Sequence, residues 1–354
     1  MITDELLAAP AFERDDKLFL ASLNEAIEIH RAGCEYFKFV LEKNNFKSLK
    51  SLNEISKLPF LMVNLFKYHE IITGRREDIV LTLGSSGTSG QRSQIFLDET
   101  SLKRVKSLAF NVYRDLGITS REDYNYLCFT YDPKFAHDVG TAFTDELLTS
   151  FTGKAEVYYT FEYVNGEFVF NEEKTVQKLL EFEKSNLSTR ILGFPAFLYE
   201  IIEKYNLDIN LGKDSWLQTG GGWKNKQDKQ IEKQAFRQMV SQSLGIPKEN
   251  IRDLFGMVEH GIPYVDDANG RLRIPNYSRV IIRDPHTLDV LPYGEVGLIQ
   301  FVSTYLTSFP SLSLLTTDWG AVPQDDFGEF IEIKGRAGLS KNKGCALKAL
   351  ELMQ

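Results

Sequence analysis

A loop built from small residues, SSGTSGQ at positions 85–91, lies between the β-prone runs DIVLTL and IFLD. Glycine permits positive φ angles and a close approach of backbone to ligand, and the hydroxyls add hydrogen-bond donors. Successive backbone N–H groups in such a loop can bind the oxygens of a phosphate. A plain flexible turn has the same composition, and the loop matches neither GxxxxGKS/T nor GxGxxG. We therefore predict a phosphate-binding loop, with a flexible turn as the alternative.

Cys345 lies in the sequence KNKGCALK, where lysines precede and follow the thiol. Neighbouring cations and the N-terminus of a helix both lower the pKa of a thiol, and the thiolate is the form that attacks an activated acyl group. The alternative is an unreactive cysteine at the start of a terminal helix. Cys34 falls on an apolar helical stripe and Cys128 within a β run, so we expect both to be small buried side chains. Cys345 is therefore the predicted nucleophile.

The composition is typical of a folded globular protein. The 354 residues are 43% hydrophobic and 25% charged, with a net charge of −8 and three cysteines. This charge argues against nucleic acid as a partner and against electrostatic docking on anionic lipid. We find no apolar run long enough to span a bilayer, and the acidic start lacks the basic-then-apolar form of a signal peptide. Few cysteines without metal-binding spacing favour a cytoplasmic location.

The elements that must position the loop alternate between strand-like and helix-like runs. Apolar residues at helical spacing predict a helical N-terminal part, residues 1–75, with one buried stripe: Leu23, Ile27, His30, Cys34 and Phe37. From residue 76 to residue 265, buried strands such as YNYLCFTYD, RILGF and SWLQTGGGW alternate with amphipathic runs. We therefore predict an α/β core with mostly parallel strands in this range.

The pattern changes after residue 265. The runs SRVIIRD, GEVGLIQFV, LSLLTTDWG and GEFIEIKGR are short and separated by turn signals. They predict an antiparallel, barrel-like subdomain over residues 266–334. Residues 335–354 then form a short C-terminal tail that carries Cys345.

Five further motifs follow the loop in the order typical of the adenylate-forming enzymes, which include acyl-CoA synthetases, peptide-synthetase adenylation domains and luciferases. The loop resembles their phosphate-binding signature. TGGGW (219–223) resembles the glycine-rich strand end beside the adenine, LFGMVEHG (254–261) the YGxTE motif, YGEVGLI (293–299) the GE-x-G strand, TTDWG (316–320) the TGD motif, and IKGRAG (333–338) the GRxD hinge, with Gly338 in place of Asp. The resemblance implies the large-domain fold of this superfamily, with a C-terminal lid domain missing or vestigial.

The same resemblance implies ATP and Mg²⁺ as cofactors and assigns site residues to them. The implied ATP- or AMP-binding residues are Ser85, Ser86, Gly87, Thr88, Ser89, Gly90, Gln91, Gly220, Gly221, Gly222, Phe255, Gly256, Met257, Asp318 and Arg336. Glu259 is implied as a catalytic residue and as the Mg²⁺ ligand, and Asp318 as the acceptor for the ribose hydroxyls. Without the family, Glu259 would be read as a surface carboxylate and Arg336 as an exposed turn residue.

A narrower resemblance is to the LuxE-type acyl-protein synthetases, which are fatty-acid–protein ligases. It rests on SSGTSGQRSQIFLDETS, LFGMVEHGIPY and GLSKNKGCALKALEL, and it extends from about residue 55 to the end of the chain. It implies that a carboxylic acid, in this family a fatty acid, is activated to an acyl-adenylate and transferred to Cys345 as a thioester. A protein partner such as an acyl reductase or acyltransferase would then unload it. The alternatives are a CoA or carrier-protein ligase similar to phenylacetate–CoA ligase, and a catalytically inert adenylation-like scaffold.

The sequence departs from the larger relatives in the source of positive charge. Their lid supplies a catalytic lysine, and their phosphate loop often has a lysine where this chain has Ser93, preceded by Arg92. We expect Arg92, Lys341 or Lys343, or a group from a partner, to replace that cation. We also expect the tail to swing the Cys345 thiol toward the adenylate.

Three residues are weaker candidates for contact with the acyl group. Phe194 lies in the apolar run ILGFPAFLYEII, His137 in YDPKFAHDVG, and His260 directly follows Glu259. A core position for Phe194 and a structural role for each histidine are the alternatives.

Overall fold

The structure is a computed structural model that describes residues 1–85, 93–135, 140–223, 226 and 229–336. Its helices, in chain order, are α1 (Ile2–Ala8), α2 (Asp16–Gly33), α3 (Glu35–Lys43), α4 (Leu65–Tyr68), α5 (Glu99–Asp115), α6 (Gly140–Thr149), α7 (Glu172–Glu183), α8 (Pro195–Tyr205) and α9 (Lys233–Leu244). None of the helices within these ranges is both long enough and apolar enough to cross a membrane.

The strands of the described residues form three sheets. They are β1 (Leu61–Met62), β2 (Ile79–Gly84), β3 (Gln94–Asp98), β4 (Asp123–Tyr131), β5 (Gly153–Val164), β6 (Glu167–Phe170), β7 (Thr189–Gly193), β8 (Trp216–Gly220), β9 (Ile251–Phe255), β10 (Tyr264–Val265), β11 (Leu272–Arg273), β12 (Ser278–Arg283), β13 (Gly297–Ser303), β14 (Ser313–Ala321), β15 (Gln324–Asp325) and β16 (Gly328–Arg336).

The central sheet has the strand order β10-β9-β8-β7-β4-β5-β6. The pairs from β9 to β5 are parallel, and the outer strands β10 and β6 are antiparallel to their neighbours. Leu192 on one face joins the larger apolar core, whereas Ile191 and Leu217 on the other face pack into a second core with α7, α8 and α9. Apolar cover on both faces is typical of parallel strands, and the predicted α/β core is confirmed.

The second sheet has the order β11-β16-β14-β13-β12, and β12, β13, β14 and β16 pair antiparallel. These four strands correspond to the four runs predicted as a barrel-like subdomain. The short β1 adds to this sheet by pairing parallel with β14, with Leu61 opposite Leu314. The loop SSGTSGQ begins at the end of a separate hairpin, in which β2 and β3 pair antiparallel.

The predicted N-terminal stripe is buried as expected, but two helices share it. Leu23, Ile27, His30, Cys34 and Phe37 are all at most 4% exposed. The chain leaves the helical conformation at Cys34, whose backbone is extended with φ −135° and ψ 104°. The apolar spacing continues across this break because α3 packs the same core as α2.

The hairpin of β5 and β6 is not among the predicted elements. Asn165 and Gly166 connect its strands, and both have positive φ angles, 51° and 92°. An Asn-Gly pair is a strong signal for a two-residue hairpin turn, because these residues adopt positive φ with little strain. This turn is therefore the signal by which the sequence reveals the hairpin.

Protonation of the buried His30 is expected to destabilise the fold in acid. Its Nδ1 lies 2.7 Å from the Thr73 hydroxyl and its Nε2 lies 3.1 Å from the Leu306 carbonyl oxygen. Burial lowers the pKa of His30 from 6.5 to about 4, only partly offset by the Leu306 carbonyl and Asp98. Since the unfolded chain takes up this proton first, stability falls as the pH drops from 6.5 to about 4, by up to about 3 kcal/mol.

Urea unfolding of wild type and His30→Gln, from about pH 7 down to about pH 4, measures this loss. We expect the free energy of unfolding of His30→Gln to fall less steeply with acidification than that of wild type. His286→Gln is the matched control, since His286 is exposed. Equal slopes for wild type and His30→Gln would contradict the assignment.

Candidate active site

The carboxyl ends of four parallel strands bring several of the predicted site residues to one edge of the central sheet. β4, β7, β8 and β9 lie side by side, with Gly193 opposite Thr219 and Gly220 opposite Leu254. Gly221 and Gly222 follow β8, and Gly256 and Met257 follow β9; Phe194 follows β7. Ligands of open α/β sheets bind in the crevice outside the carboxyl ends of the strands. Residues separate in sequence thus share one edge because their strands are parallel neighbours.

The glycines at this edge differ in what surrounds them. A Cβ on Gly193 would lie 2.6 Å from the Phe129 carbonyl oxygen, so this glycine allows two strands to approach closely. Among the described residues, a Cβ on Gly222 would have no atom within 4 Å, and one on Gly256 would meet only the Ile262 carbonyl oxygen at 3.9 Å. Gly220 is intermediate, with its nearest contact at 3.5 Å from Leu254. The backbone at Gly222 and Gly256 is therefore open to a ligand.

The base of the predicted phosphate loop is held by two reciprocal hydrogen bonds. The Ser85 N–H donates to the Ser93 carbonyl oxygen at 2.9 Å, and the Ser93 N–H donates to Ser85 Oγ at 3.0 Å. These bonds continue the β2–β3 hairpin by one step. The other predicted residues of the loop, together with four residues elsewhere, lie outside the described residues: Ser86, Gly87, Thr88, Ser89, Gly90, Gln91, Arg92, His137, Lys341, Lys343 and Cys345.

Glu259 is almost fully buried, with 5% of its surface exposed. A turn after β9 positions it, in which the His260 and Gly261 N–H groups donate to the Met257 carbonyl oxygen at 3.1 and 2.8 Å. The Ser311 hydroxyl donates to the backbone carbonyl oxygen of Glu259. Burial raises the pKa of the Glu259 carboxyl, and the Ser93 hydroxyl and the cations of Arg336 and Lys67 act in the opposite direction.

These surroundings of Glu259 fit a divalent cation held together with a phosphate. The Ser93 hydroxyl beside it is buried and has no hydrogen-bond partner of normal geometry among the described residues. Within the same residues, no group of three or more His, Cys, Asp and Glu side chains could hold a metal ion. Mg²⁺ is commonly bound by one or two carboxylates and completed by substrate phosphates and water, so a single buried Glu259 suits it.

Asp318 and Arg336, both predicted to contact the nucleotide, bind each other. They lie opposite on the neighbouring strands β14 and β16, and Arg336 Nε donates to Asp318 Oδ1 at 2.8 Å. Within β14, the Asp318 N–H donates to Thr316 Oγ1 at 3.0 Å. Asp318 is 3% exposed, whereas half of the Arg336 side chain is exposed. The guanidinium therefore orders the carboxylate and keeps part of its own surface open.

His260 belongs to the packed core. Its ring is fully buried and stacks on Phe301 at 4.8 Å, and its Nε2 lies 2.8 Å from the Tyr264 hydroxyl. Burial lowers the pKa of His260 to about 3, so the ring is neutral. These contacts describe a structural histidine and give no support to the prediction that it contacts the acyl group.

Phe194 lies in an aromatic cluster at the carboxyl edge of the sheet. The cluster consists of Tyr131, Phe161, Phe168, Phe170, Phe194 and Phe197, whose rings contact one another with centroids 4.6 to 6.5 Å apart. Beside it, Phe135 and Tyr163 stack at 5.2 Å and are about half exposed. An apolar surface therefore continues from the edge of the sheet to solvent.

Cys34 and Cys128 are free and buried, as predicted. Burial raises the pKa of both thiols, and that of Cys128 well above its usual value. Sequence reasoning missed Lys67, which belongs to none of the motifs and whose charge acts to lower the pKa of the Glu259 carboxyl. No local signal marks this lysine, because its position depends on how the N-terminal part packs against the second sheet.

The sequence matches the family described as "Acyl-protein synthetase, LuxE" over residues 2–353. It is 26% identical to the long-chain-fatty-acid–luciferin-component ligase of Aliivibrio fischeri, in an alignment that covers 97% of this chain and 91% of that protein. It is 24% identical to the ligase of the same name from Vibrio harveyi, covering 84% of this chain and 78% of that protein.

A solved structure of 2-hydroxyisobutyryl-CoA ligase, in complex with 2-HIB-AMP and CoA, superposes with a TM-score of 0.70. The superposition covers 98% of this chain and 82% of that one at 14% identity. At this identity the likeness shows the fold alone, which is that of the adenylate-forming ligases.

Proposed function

We propose, on the premise that this chain belongs to the LuxE family of acyl-protein synthetases, that it activates a fatty acid with ATP and transfers the acyl group to its own Cys345. The chain is an enzyme of the AMP-forming acyl-protein synthetase class. The observation that supports acid activation best is the buried Glu259 carboxyl, which follows strand β9 of the parallel sheet and lies beside the Ser93 hydroxyl at the base of the loop.

In the first reaction a carboxylate oxygen of the acid attacks the α-phosphorus of ATP. A new P–O bond forms, the bond to pyrophosphate breaks, and pyrophosphate leaves with the electron pair. Negative charge grows on the phosphate oxygens, and preorganised N–H donors and cations stabilise it. We assign the donors to the loop between Ser85 and Ser93, residues Ser86 to Gln91 included, with Arg92 as a further cation.

We assign different parts of the nucleotide to different described residues. Glu259 would hold Mg²⁺, which when bound supplies positive charge to the phosphates. Asp318, oriented by Arg336, would accept hydrogen bonds from the ribose hydroxyls. The open backbone at Gly222 and Gly256 leaves room for the flat adenine ring. Phe255, whose ring already packs on Phe301 at 5.9 Å, is placed to form one wall of that space.

In the second reaction the thiolate of Cys345 attacks the carbonyl carbon of the adenylate. The C–S bond forms, the C–O bond to the phosphate breaks, and AMP leaves as the anion. The product is a thioester, which remains reactive enough for a partner such as an acyl reductase to remove the acyl group. The buried Cys34 and Cys128 are poor alternatives because their thiols stay protonated.

The aromatic cluster around Phe194 supports a hydrophobic acid. It lies at the end of β7, next to the strands whose glycines border the proposed nucleotide site, and extends to the exposed Phe135 and Tyr163. Burial of each methylene of an acyl chain against such a surface contributes about 0.8 kcal/mol. We therefore assign this cluster to the acyl chain, with Phe194 nearest to the reacting carboxylate.

Acid-dependent exchange of labelled pyrophosphate into ATP tests acid activation directly. We expect exchange with saturated fatty acids, increasing with chain length, and little exchange with short or charged acids. Fatty alcohols of the same length are the matched controls, because they fill the same apolar surface but have no carboxylate to adenylate. If folded wild-type protein shows no exchange with any acid, the result would contradict acid activation and favour the alternative of a catalytically inert scaffold.

A further inference from the structure

The β5–β6 hairpin at the outer edge of the central sheet carries its aromatic side chains on one face. Phe161 lies opposite Phe170, and Tyr163 lies opposite Phe168. Directly opposite residues of an antiparallel pair share a face, and so do alternate residues of one strand, so these four rings lie on the same side. Among the described residues, neither Tyr163 nor Phe168 belongs to the two apolar cores. The hairpin therefore presents an aromatic face that the packing of the cores does not use.

This face continues ring by ring to the end of β7. Phe194 contacts Tyr131 with centroids 6.2 Å apart, and Tyr131 contacts Phe168 at 4.6 Å. Phe168 contacts Tyr163 at 5.0 Å, and Tyr163 stacks on Phe135 at 5.2 Å with ring planes 15° apart. We refer to these five residues, from Phe194 to Phe135, as the aromatic row. The aromatic row begins at the carboxyl edge of the sheet, where the reacting carboxylate is proposed to bind.

Exposure to solvent increases along the aromatic row. Phe194 is 2% exposed, whereas Tyr163 is 47% and Phe135 55% exposed. A methylene group that becomes fully buried gains about fourfold in affinity, and one that is half-buried gains less. An acyl chain along the aromatic row would therefore gain affinity steeply near Phe194 and more gradually toward Phe135.

The length of the aromatic row makes it selective for long chains. An extended saturated chain advances roughly 1.3 Å per carbon. Octanoate therefore spans about two of the ring-to-ring steps, and hexadecanoate about four. Only the longer acid, with its carboxylate beside Phe194, reaches Tyr163 and Phe135.

We propose that Tyr163 and Phe135 determine the chain-length specificity of acid activation by contacting the methyl end of a long acyl chain that lies along the aromatic row. The inference rests on the proposed function and deepens it, since it names unbranched long-chain acids as the substrate class. An acyl chain accounts for the continuous contact of the exposed rings with the buried Phe194, which a surface for a protein partner would not require.

Pyrophosphate exchange with acids of two lengths gives the first test. We expect Tyr163→Ser to lower kcat/KM for hexadecanoate about tenfold and to leave that for octanoate unchanged. Tyr163→Phe should behave as wild type at both lengths, because the contact is made by the ring. Tyr293→Ser is the matched control, since Tyr293 is 56% exposed and lies between β12 and β13, outside the central sheet.

Binding without turnover gives the second test. Alkyl esters of AMP carry a chain on the phosphate but have no carbonyl carbon that a thiolate could attack. We expect Tyr163→Ser to weaken the affinity for the hexadecyl ester about tenfold and to leave the affinities for the octyl ester and for AMP unchanged.

The remaining outcomes would overturn the inference in distinguishable ways. Equal losses for octanoate and hexadecanoate would show a structural role for Tyr163, and no loss at either length would show that the chain does not reach it. Normal exchange at both lengths with slower acylation of the chain would instead assign the exposed rings to docking of a protein segment. In each of these cases acid activation itself stands, whereas a wild type that shows no exchange with any acid would overturn the proposed function as well.

Discussion

Replacement of Cys345 by serine is expected to abolish acylation of the chain and to leave acid-dependent pyrophosphate exchange at the wild-type rate. In the proposed mechanism the two reactions use different groups, because we assign adenylation to the phosphate loop and Glu259, whereas transfer requires a thiolate. A serine hydroxyl has a far higher pKa than a thiol and is a weak nucleophile without an adjacent base.

Intact-protein mass after incubation with Mg-ATP and fatty acid shows whether the chain carries an acyl group, the product of the second reaction. Wild type should gain the mass of one acyl group, and hydroxylamine should remove it, since a thioester is cleaved under conditions that spare an amide. Cys34→Ala is the matched control and should gain the same mass, because Cys34 is 4% exposed and burial raises the pKa of its thiol.

The other possible outcomes distinguish between alternative acceptors of the acyl group. Acyl mass on Cys345→Ser would show that another residue accepts the acyl group. Exchange by wild type and variant without an adduct on either would instead favour CoA or a carrier protein as the acceptor.

Replacement of Glu259 by glutamine is expected to lower the rate of pyrophosphate exchange about a hundredfold or more. The amide keeps the shape of the side chain but loses the charge that we assign to Mg²⁺. The effect should appear in kcat at saturating ATP, and raising the Mg²⁺ concentration should restore little of the rate.

The same substitution should not reduce stability. Burial raises the pKa of the Glu259 carboxyl, which means that the folded protein disfavours its charged form at neutral pH. A neutral amide removes that penalty, so we expect a thermal midpoint equal to or above that of wild type. Glu295→Gln is the control for charge removal, since Glu295 is exposed. Normal exchange by Glu259→Gln would contradict its role as the metal ligand.

Local patterns in the sequence determined the kinds of elements and the order of the motifs. The four strand runs after residue 265 and the alternation before it are set by which neighbouring residues are apolar, and that information lies within a few positions. The burial of the stripe that includes His30 and Phe37 was predictable for the same reason, even though the helix ends before Cys34. The motif order likewise allowed Glu259 and Asp318 to be assigned through a family resemblance.

Only the tertiary structure decided which of these residues meet. The carboxyl edge forms because β4, β7, β8 and β9 are adjacent and parallel. No local sequence pattern specifies this order of strands. His260 and Glu259 are neighbours in sequence, yet His260 stacks in the core on Phe301 while Glu259 lies beside the Ser93 hydroxyl.

Helix α4 shows the same limit most clearly. Nothing in the run NLFKYH indicates which part of the chain it packs against, and its place beside the second sheet follows from the pairing of β1 with β14. Contacts between segments so distant in sequence are selected by the burial of apolar side chains such as Phe66 over the whole fold. Local composition records which residues can be buried, but the partner that each one finds depends on the packing of the complete chain.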